Sequence, residues 1–424
     1  MKLRTAANIL LYSSLCLASA FVPHNSIVRS NLKPWKNFNE AENKHDKIRL
    51  HSSVSQTSEM VNQIRDQLSE NEEANLIMTA LRGQNMNDDN TAAEGLEMRL
   101  VDVGMSIDGD FLPYEYNPQV LKDFFKKRPF AIATRIFQLA SVGGGVFFNT
   151  ALDALLGRVK DNPELEVKRA IELRDIITSL GPFFIKLGQA LSIRPDVLSP
   201  RAMVELQKLC DKVPAFDSKI AFETIEEELG RTVDDLFSEI TPEPVAAASL
   251  GQVYKATLRD TGEVVAVKVQ RPAVLETVSL DLYLARELGL FARNFPALVE
   301  RLDPVALLDE FAFRFYQELD YNLECENGLK IREQMSVLPN VVIPNNYPQY
   351  TSRRVHVAEW VEGEKLSQSK ADDVGALVNL GVITYLTQLL EYGFFHADPV
   401  SISSLNLFKL ISHIINVTRI YYIL

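Results

Sequence analysis

The sequence is poor in cysteine. Its 424 residues include three cysteines, Cys16, Cys210 and Cys325, which lie far apart in the chain. An odd number of distant cysteines supports neither a disulfide framework nor a cysteine-based zinc cluster. The pattern therefore favours a protein that works in a reducing compartment.

A basic surplus is also missing. The 44 lysines and arginines are outnumbered by 56 aspartates and glutamates, which gives a formal net charge of -12. Proteins bind nucleic-acid backbones mainly through an excess of positive charge, so this composition argues against general nucleic-acid binding. No nucleic acid is expected as a partner.

The chain has no uninterrupted membrane-spanning run. The segment from Leu121 to Leu156 is mostly apolar, but lysines, arginines and a triplet of glycines at positions 143–145 interrupt it. These interruptions argue against a transmembrane helix. A helix on a membrane surface and a helix packed against the domain both stay open, and the second is preferred.

The composition is that of a globular protein, with 46% hydrophobic and 24% charged residues. The chain is long enough for two or three domains. At the N-terminus, an apolar run from Ile9 to Leu17 and the small residues Ala18-Ser19-Ala20 predict a signal peptide over residues 1–20. The following phenylalanine and the basic, serine-containing stretch to residue 52 resemble the two-part presequence of algae with complex plastids. This resemblance implies a plastid (chloroplast) protein, and ordinary secretion is the alternative.

Local patterns divide the rest of the chain. Residues 53–112 are acidic and polar, with "SENEE" and "MNDDN", and predict a linker. Helical periodicity runs through residues 113–200 and restarts at Pro182, which suits the first turn of a helix. Further on, "QVYKATL" and "EVVAVKVQ" flank the turn "RDTG" and predict a β-hairpin. A strand in "RRVHVAEWVEG" and a helix ending near Gly393 are also predicted.

A loop of small residues lies directly before the hairpin, in "VAAASLGQ". The backbone of such a loop can approach phosphate groups closely. Its members are Ala246, Ala247, Ala248, Ser249 and Gly251. Lys268 follows on the second strand of the hairpin, where an ammonium group needs an anion to face, although a solvent-facing lysine is the plainer alternative. The order of loop, strand, turn and Val-Ala-x-Lys strand is that of protein kinases.

Three separated motifs extend this similarity. "FFIKLGQALSIRPD" lies before the alanine-rich loop, and "QELDYNLECEN" lies after Lys268. Together they resemble the UbiB family of atypical kinases, also called the activity-of-bc-one family, over residues 114–399. The resemblance implies an α+β, protein-kinase-like fold. It would comprise a helical N-terminal extension, an N-lobe with an antiparallel sheet over residues 201–362, and an incomplete helical C-lobe that starts over residues 363–399.

The resemblance assigns roles to charged residues. It implies that Lys268 contacts the α- and β-phosphates of ATP and forms an ion pair with Glu318. Glu287 is a rival partner, because ordinary kinases place only about one short helix between the two residues. Glu318 is preferred because it opens the family's Glu-x-Asp element, whose Asp320 is expected to contact the segment of Lys186.

The first motif and the hinge receive roles in the same way. Lys186 and Gln189 lie three positions apart and share one face of the predicted helix. In the family, this helix covers the nucleotide cleft and its lysine restricts access by protein substrates, whereas a surface helix with a packed Gly188 is the alternative. Glu359 and Val361 flank the hinge tryptophan and are expected to offer backbone groups to adenine.

Asp398, in "HADP", corresponds by resemblance to the catalytic aspartate that orients or deprotonates the attacking hydroxyl group. The family normally continues with His-Pro-Gly-Asn, whose asparagine binds magnesium, but residues 400–403 read Val-Ser-Ile-Ser. An Asp-Phe-Gly element is also absent from the remaining sequence. ATP and Mg²⁺ are the implied ligands, yet the usual metal ligands are missing and no metal-binding residue is assigned, so substantial turnover is in doubt.

The tail over residues 400–424 contains no Asp, Glu, Gly or Pro and has six isoleucines. AT-rich codons encode such residues, and Val-Ser translates a common splice-donor hexamer, so the tail is interpreted as an intron that was read through. A membrane helix and a true short isoform are the alternatives. Lys409, His413 and Arg419 argue against the membrane helix.

The leading hypothesis is a plastid UbiB-type kinase or ATPase that binds ATP and supports quinone or prenyl-lipid metabolism. A lipid or membrane surface and lipid-biosynthesis enzymes are the expected partners. A second hypothesis is a catalytically impaired nucleotide-binding scaffold at a plastid membrane. A third and weaker one is a helical protein of a membrane surface.

Overall fold

The computed structural model describes residues 98–101, 110–155, 162–192, 198–210, 213–295, 303–338, 341–362 and 374–395. The predicted signal peptide, the transit segment, most of the acidic linker, Asp398 and the tail lie outside the described residues.

The N-terminal extension is helical, as predicted. Its helices begin at prolines, whose missing N–H group costs nothing in a first helical turn. The side chains of Asn117 and Asn162 cap two of these helices by accepting backbone N–H groups. The helices are α1 (Pro118–Lys126), α2 (Pro129–Leu155), α3 (Pro163–Leu180), α4 (Pro182–Leu191) and α5 (Pro200–Gln207), and a 3₁₀ turn at Lys208–Cys210 follows.

An antiparallel sheet follows two further helices, α6 (Ser218–Leu229) and α7 (Val233–Leu236). The strand order is β1-β3-β4-β5, with β2 paired to β3. The strands are β1 (Phe237–Ile240), β2 (Ala246–Ala247), β3 (Gly251–Leu258), β4 (Val264–Gln270) and β5 (Val355–Glu359). The predicted hairpin is confirmed as β3 and β4, and Gly262 in its turn has a φ of 72°, which glycine adopts at little cost.

Side-chain alternation gives this sheet two different faces. One face packs on α6 and forms a buried apolar core, to which Tyr254, Val265, Val267, Val355 and Val357 contribute. The residues between them point to the other side, where the strand register sets Lys268 opposite both Val253 and His356. The second face therefore brings a charged lysine and an imidazole together above the following helices.

The chain is helical again after the hairpin, as predicted. The helices are α8 (Val274–Ala292), α9 (Pro304–Glu318), α10 (Tyr321–Met335) and α11 (Val374–Leu386), and a π-helical turn at Thr387–Tyr392 ends the last one. Gly393 then takes a left-handed conformation with a φ of 61°, in agreement with the predicted helix end. Phe394 packs against Ile331 and Met335, so the chain before Asp398 is anchored on α10.

A fully buried ion pair joins the extension to the second half of the chain. Arg135 of α2 donates from Nε and Nη2 to the two carboxylate oxygens of Asp281 on α8, each at 2.7 Å. Its Nη2 also donates to the carbonyl of Leu180, the last residue of α3, at 2.5 Å. Burial raises the pKa of Asp281 to about 6, although Arg135 acts in the opposite direction. The pair fixes the junction between α3 and α4, and the sequence analysis did not identify it.

Helix α2 packs on the domain through the face that carries Arg135. Its other face is apolar and exposed, with Phe130, Ile136 and Phe137 among its side chains. Across the described ranges, none of the helices combines the length and the apolar character that crossing a bilayer requires.

Candidate functional site

Lys268 forms an ion pair between the sheet and α10. Its Nζ donates to the two carboxylate oxygens of Glu324, at 2.8 and 2.6 Å. The same nitrogen lies 4.4 Å from the ring centre of Tyr321, the first residue of α10. The N–H group of Tyr321 donates to the carbonyl of Arg353, just before β5, which holds the start of this helix against the sheet.

The predicted partner of Lys268, Glu318, is therefore corrected to Glu324. Glu318 ends α9, and the chain breaks its helical path at the next two residues before α10 begins. Glu324 lies in the first turn of α10, on the side that faces the sheet. The rival Glu287 is not the partner either, because it contacts Lys122 of α1 at 3.7 Å.

Lys186, the lysine of the first motif, contacts the carboxylate of Glu318, which was predicted to pair with Lys268. Nζ of Lys186 lies 2.6 Å from Oε2 of Glu318, and the lysine side chain is 8% exposed. Asp320 was expected on this lysine segment, but it caps α10 instead, accepting the N–H group of Asn322 at 3.0 Å. Short side chains such as that of aspartate readily accept from the backbone two residues on, and this explains the difference.

Gln189 does not join Lys186 at Glu318. Its Nε2 donates to the carbonyl of Leu209 at 2.9 Å, which ties α4 to the 3₁₀ turn after α5. Between them, Gly188 provides a close helix contact, since a Cβ atom there would lie 2.6 Å from Cδ1 of Leu209. The motif therefore combines one inward ion pair with a tightly packed glycine and an amide that fixes the helix.

The alanine-rich loop turns back between β2 and β3. The N–H group of Ala248 donates to the carbonyl of Gly251 at 2.7 Å and closes the turn. Gly251 lies so close to β4 that a Cβ atom would be 2.4 Å from the carbonyl oxygen of Val269. Only glycine fits this approach, so packing against β4 requires Gly251, and its role in binding a nucleotide stays a prediction.

Ser249 stands at the tip of this loop and is 1% exposed. Within the described residues its Oγ has no hydrogen-bond partner. A buried hydroxyl group without a partner is costly, and a bound polar ligand is one way to satisfy it. A loop of small side chains, a hydroxyl group without a partner in the described residues and a lysine on the adjoining hairpin are group types that suit a phosphate-bearing ligand such as ATP.

The strand that was predicted to lead into the hinge ends at Glu359. The Glu359 carboxylate accepts the N–H group of Asn345 at 2.9 Å, and the N–H group of Glu359 donates to the carbonyl of Asn345 at 2.8 Å. The next residue, Trp360, donates its N–H group to the carbonyl of Val264 at 3.0 Å and carries Lys255 over its ring. A backbone contact of Glu359 and Val361 with adenine stays a prediction.

Residues 208–402 match the family profile described as the ABC1 atypical kinase-like domain. The chain contains an ABC1 atypical kinase-like domain. The predicted resemblance to the activity-of-bc-one family is confirmed, and so is the kinase-like fold with its antiparallel sheet and helical extension.

Curated relatives extend the similarity beyond the ABC1 domain. An uncharacterized protein of Synechocystis sp. is 44% identical over 293 residues, covering 68% of this chain and 42% of that protein. Protein ACTIVITY OF BC1 COMPLEX KINASE 3, chloroplastic, of Arabidopsis thaliana is 42% identical over 312 residues, or 72% of this chain and 43% of the relative. Protein ACTIVITY OF BC1 COMPLEX KINASE 1, chloroplastic, of the same plant is 41% identical over 261 residues. These cover 60% of this chain and 38% of the relative. The chain thus spans about two fifths of the length of these relatives.

Three residues of the ABC1 domain escaped the sequence analysis. Val253, Ala266 and Ala358 lie on the same sheet face as Lys268, and Ala266 is paired with Ala358 across β4 and β5. Val253 lies opposite Lys268, and the two alanines lie between the lysine and the end of β5, so together they could cover a flat aromatic ring. The signal that could have identified them is the strict alternation of "VVAVKVQ", which sets Ala266 and Lys268 on one face.

His356 is a further missed residue of the ABC1 domain. It is 2% exposed, its Nε2 donates to Oδ1 of Asn346 at 2.7 Å, and its Nδ1 lies 3.8 Å from Oε1 of Glu324. The pKa of His356 is lowered to about 4, mainly by burial, with Glu324 acting to raise it and Lys268 acting to lower it. A neutral imidazole at pH 7 therefore leaves the carboxylate of Glu324 to Lys268.

The pKa of His356 predicts a loss of stability in acid. The pKa of His356 in the folded protein, about 4, is below its ordinary value of 6.5. The contribution of this group to the stability of the fold is therefore complete above pH 6.5 and is lost as the pH falls through 4. We expect the free energy of unfolding to decrease by about 2 kcal/mol between pH 7 and pH 5 from this group. Urea unfolding of His356→Gln, which keeps a donor for Asn346 but does not titrate, should show a smaller decrease. An equal decrease in both proteins would contradict the assignment.

Magnesium has no evident ligand set in the described part of the ABC1 domain. Within those ranges, no three His, Cys, Asp or Glu side chains stand close enough together to hold a metal ion. Asp398, the predicted catalytic residue, lies outside them. No step through a metal ion follows from the side chains in the described ranges.

Proposed function

We propose that this chain binds ATP in the cleft between the sheet and α10 and acts as a UbiB-type atypical kinase or ATPase. The observation that carries the proposal is the ion pair of Lys268 and Glu324. In protein kinases, a strand lysine held by a helix glutamate contacts the α- and β-phosphates. The orphan hydroxyl group of Ser249 supports the same ligand.

The remaining roles follow from the position of each group. The loop from Ala246 to Gly251 would surround the phosphates with backbone N–H groups, and Val253 and Ala266 would cover the adenine ring. Mg²⁺ would neutralise the phosphate charge when bound. Asp398 would orient the attacking hydroxyl group or accept its proton.

Lys186 would regulate this site. Its ion pair with Glu318 holds α4 at the junction of α9 and α10, directly before the helix that carries Glu324. A helix fixed there would restrict the approach of a large acceptor such as a protein. A small or lipid-like acceptor would be affected less.

The process that we propose is quinone or prenyl-lipid metabolism in the plastid. The location is supported by relatives whose names describe them as chloroplastic. The exposed apolar face of α2 is compatible with a lipid surface as a partner. Enzymes of lipid biosynthesis are the other proposed partners.

Nucleotide binding by the full chain tests the proposal. We expect Lys268→Met to weaken the binding of a fluorescent ATP analogue by about tenfold or more, because a cation beside the phosphates is lost. Lys268→Arg should retain part of the affinity, since it preserves the charge. The matched control is Lys219→Met, whose side chain is 81% exposed on α6 and should have no effect. Absence of binding by the parent, or equal binding by Lys268→Met, would refute the proposal.

ATP hydrolysis with magnesium then distinguishes an enzyme from a scaffold. Turnover that disappears in Asp398→Asn would support the enzyme. Binding of the ATP analogue without any turnover dependent on Asp398 would favour the nucleotide-binding scaffold.

A further inference from the structure

Arg271 is a buried cation directly after β4. It is 3% exposed, and its Nε and Nη2 donate to the carbonyl of Ala248 at 3.1 and 3.0 Å. Its own backbone N–H group donates to the carbonyl of Leu250 at 2.9 Å. One residue therefore holds the carbonyl groups on both sides of Ser249, at the tip of the alanine-rich loop.

The same guanidinium group reaches the end of the helical extension. Nη2 of Arg271 also donates to the carbonyl of Pro214. A second bridge runs in parallel, since the side chain of Gln252 accepts the N–H group of Phe216 at 2.9 Å and donates to its carbonyl at 3.0 Å. The segment from Pro214 to Phe216 is thus attached twice to the chain around the loop.

The segment from Pro214 to Phe216 follows the helical extension, which includes α4 and its Lys186. Val213 packs in one apolar cluster with Leu206 and Leu209. The carbonyl of Leu209 is the acceptor for Gln189 on α4. A continuous series of contacts therefore links the helix of Lys186 to the alanine-rich loop, and Arg271 is its last member.

Carbonyl groups surround the guanidinium group of Arg271. Within the described ranges no carboxylate pairs with it, and its surroundings are carbonyl groups and the ring of Phe216, whose centre lies 5.5 Å away. Burial lowers the pKa of Arg271 to about 10, which still leaves the group charged at pH 7. A positive charge behind the loop favours an anion in front of it.

We propose that Arg271 is a positioning residue of the nucleotide site, which holds the alanine-rich loop in its phosphate-binding shape and joins it to the helical extension through Pro214. The proposal rests on the proposed nucleotide binding, but the bracing of the loop can be measured without any nucleotide. A lysine in its place would keep the charge and lose the planar fork that reaches two carbonyl groups.

Hydrogen exchange of the full chain without nucleotide is the first measurement. The N–H groups of Val245 and Ala248 donate within the loop, to the carbonyl groups of Val253 and Gly251. We expect Arg271→Leu to increase the exchange rate of residues 245–253 about tenfold, with β5 unchanged. Arg271→Lys should give a smaller increase.

The affinity for the fluorescent ATP analogue is the second measurement. We expect a loss of about tenfold in Arg271→Leu and about threefold in Arg271→Lys. The control is Arg354→Leu, which removes another arginine of the same sheet that pairs with Glu227 and Glu228 on α6. It should leave both the exchange of the loop and the affinity unchanged.

The outcomes separate the two proposals. Unchanged loop exchange in both Arg271 variants, or faster exchange spread over the whole domain, would overturn the positioning role. Faster loop exchange with unchanged affinity would also overturn it. A parent chain that does not bind nucleotide would refute the proposed function, while the exchange data would still show whether Arg271 braces the loop. If Arg271→Leu does not fold, Arg271→Lys provides the same comparison.

Discussion

Lys268 and Glu324 are expected to be energetically coupled, and Lys268 and Glu318 are not. A double-mutant cycle with Lys268→Met and Glu324→Gln should give a coupling free energy of about 1–3 kcal/mol, because the two charges are in direct contact and partly buried. The cycle with Lys268→Met and Glu318→Gln should give less than about 0.5 kcal/mol. Urea unfolding of the single and double variants measures both values.

A second double-mutant cycle, on Lys186 and Glu318, is the control. Lys186→Met should couple to Glu318→Gln, because Lys186 contacts that carboxylate at 2.6 Å. If Lys268 instead coupled more strongly to Glu318 than to Glu324, the assignment of the two ion pairs would have to be exchanged.

Asp281→Ala is expected to reduce the free energy of unfolding by about 3–5 kcal/mol. The reason is that it leaves the guanidinium group of Arg135 buried without its counter-charge, and both side chains are completely inaccessible to solvent. Such a loss is a large part of the usual stability of a folded protein. Urea unfolding at pH 7.5 measures the change.

A matched exposed pair provides the control for this prediction. Lys219 and Glu223 on α6 also form an ion pair, but their side chains are 81% and 58% exposed. Glu223→Ala should therefore cost less than about 1 kcal/mol through loss of that pair. An equally small loss for Asp281→Ala would show that burial does not make the first pair important.

The ion pair of Arg135 and Asp281 also helps to position the helix that carries Lys186. Its guanidinium group bonds to the carbonyl of Leu180, two residues before α4 begins to carry Lys186 toward Glu318. The extension is thus fixed both at the start of this helix and, through Gln189, near its end. These contacts explain how a separate helical segment can hold one lysine at the edge of the kinase-like fold.

Features with a local cause were predictable from the sequence. The hairpin follows from alternation and a glycine turn, and the start of α4 follows from Pro182. The order of the three motifs sufficed to identify the family, because each motif keeps its residue types in a short window. Lys268 and the small residues around Ser249 were singled out in the same way, as candidates for the site.

Pairings between distant segments were not predictable. The spacing of Glu318 and Glu324 in "QELDYNLECEN" does not reveal that the helical path breaks between them and turns the second carboxylate toward Lys268. Nothing local marks His356 as a buried neutral group, and Arg271 looks like any arginine before a proline.

The sequence by itself determined the secondary structure around the site, the kinase-like order of the motifs and the identity of the strand that carries Lys268. Hydrogen bonds and side-chain alternation within a few residues are enough to specify these features. The tertiary structure alone decided which glutamate holds which lysine, and which arginines are buried at Asp281 and at the alanine-rich loop. Those choices depend on where helices that are distant in the chain pack against one sheet, and on the cost of burying a charge without a partner.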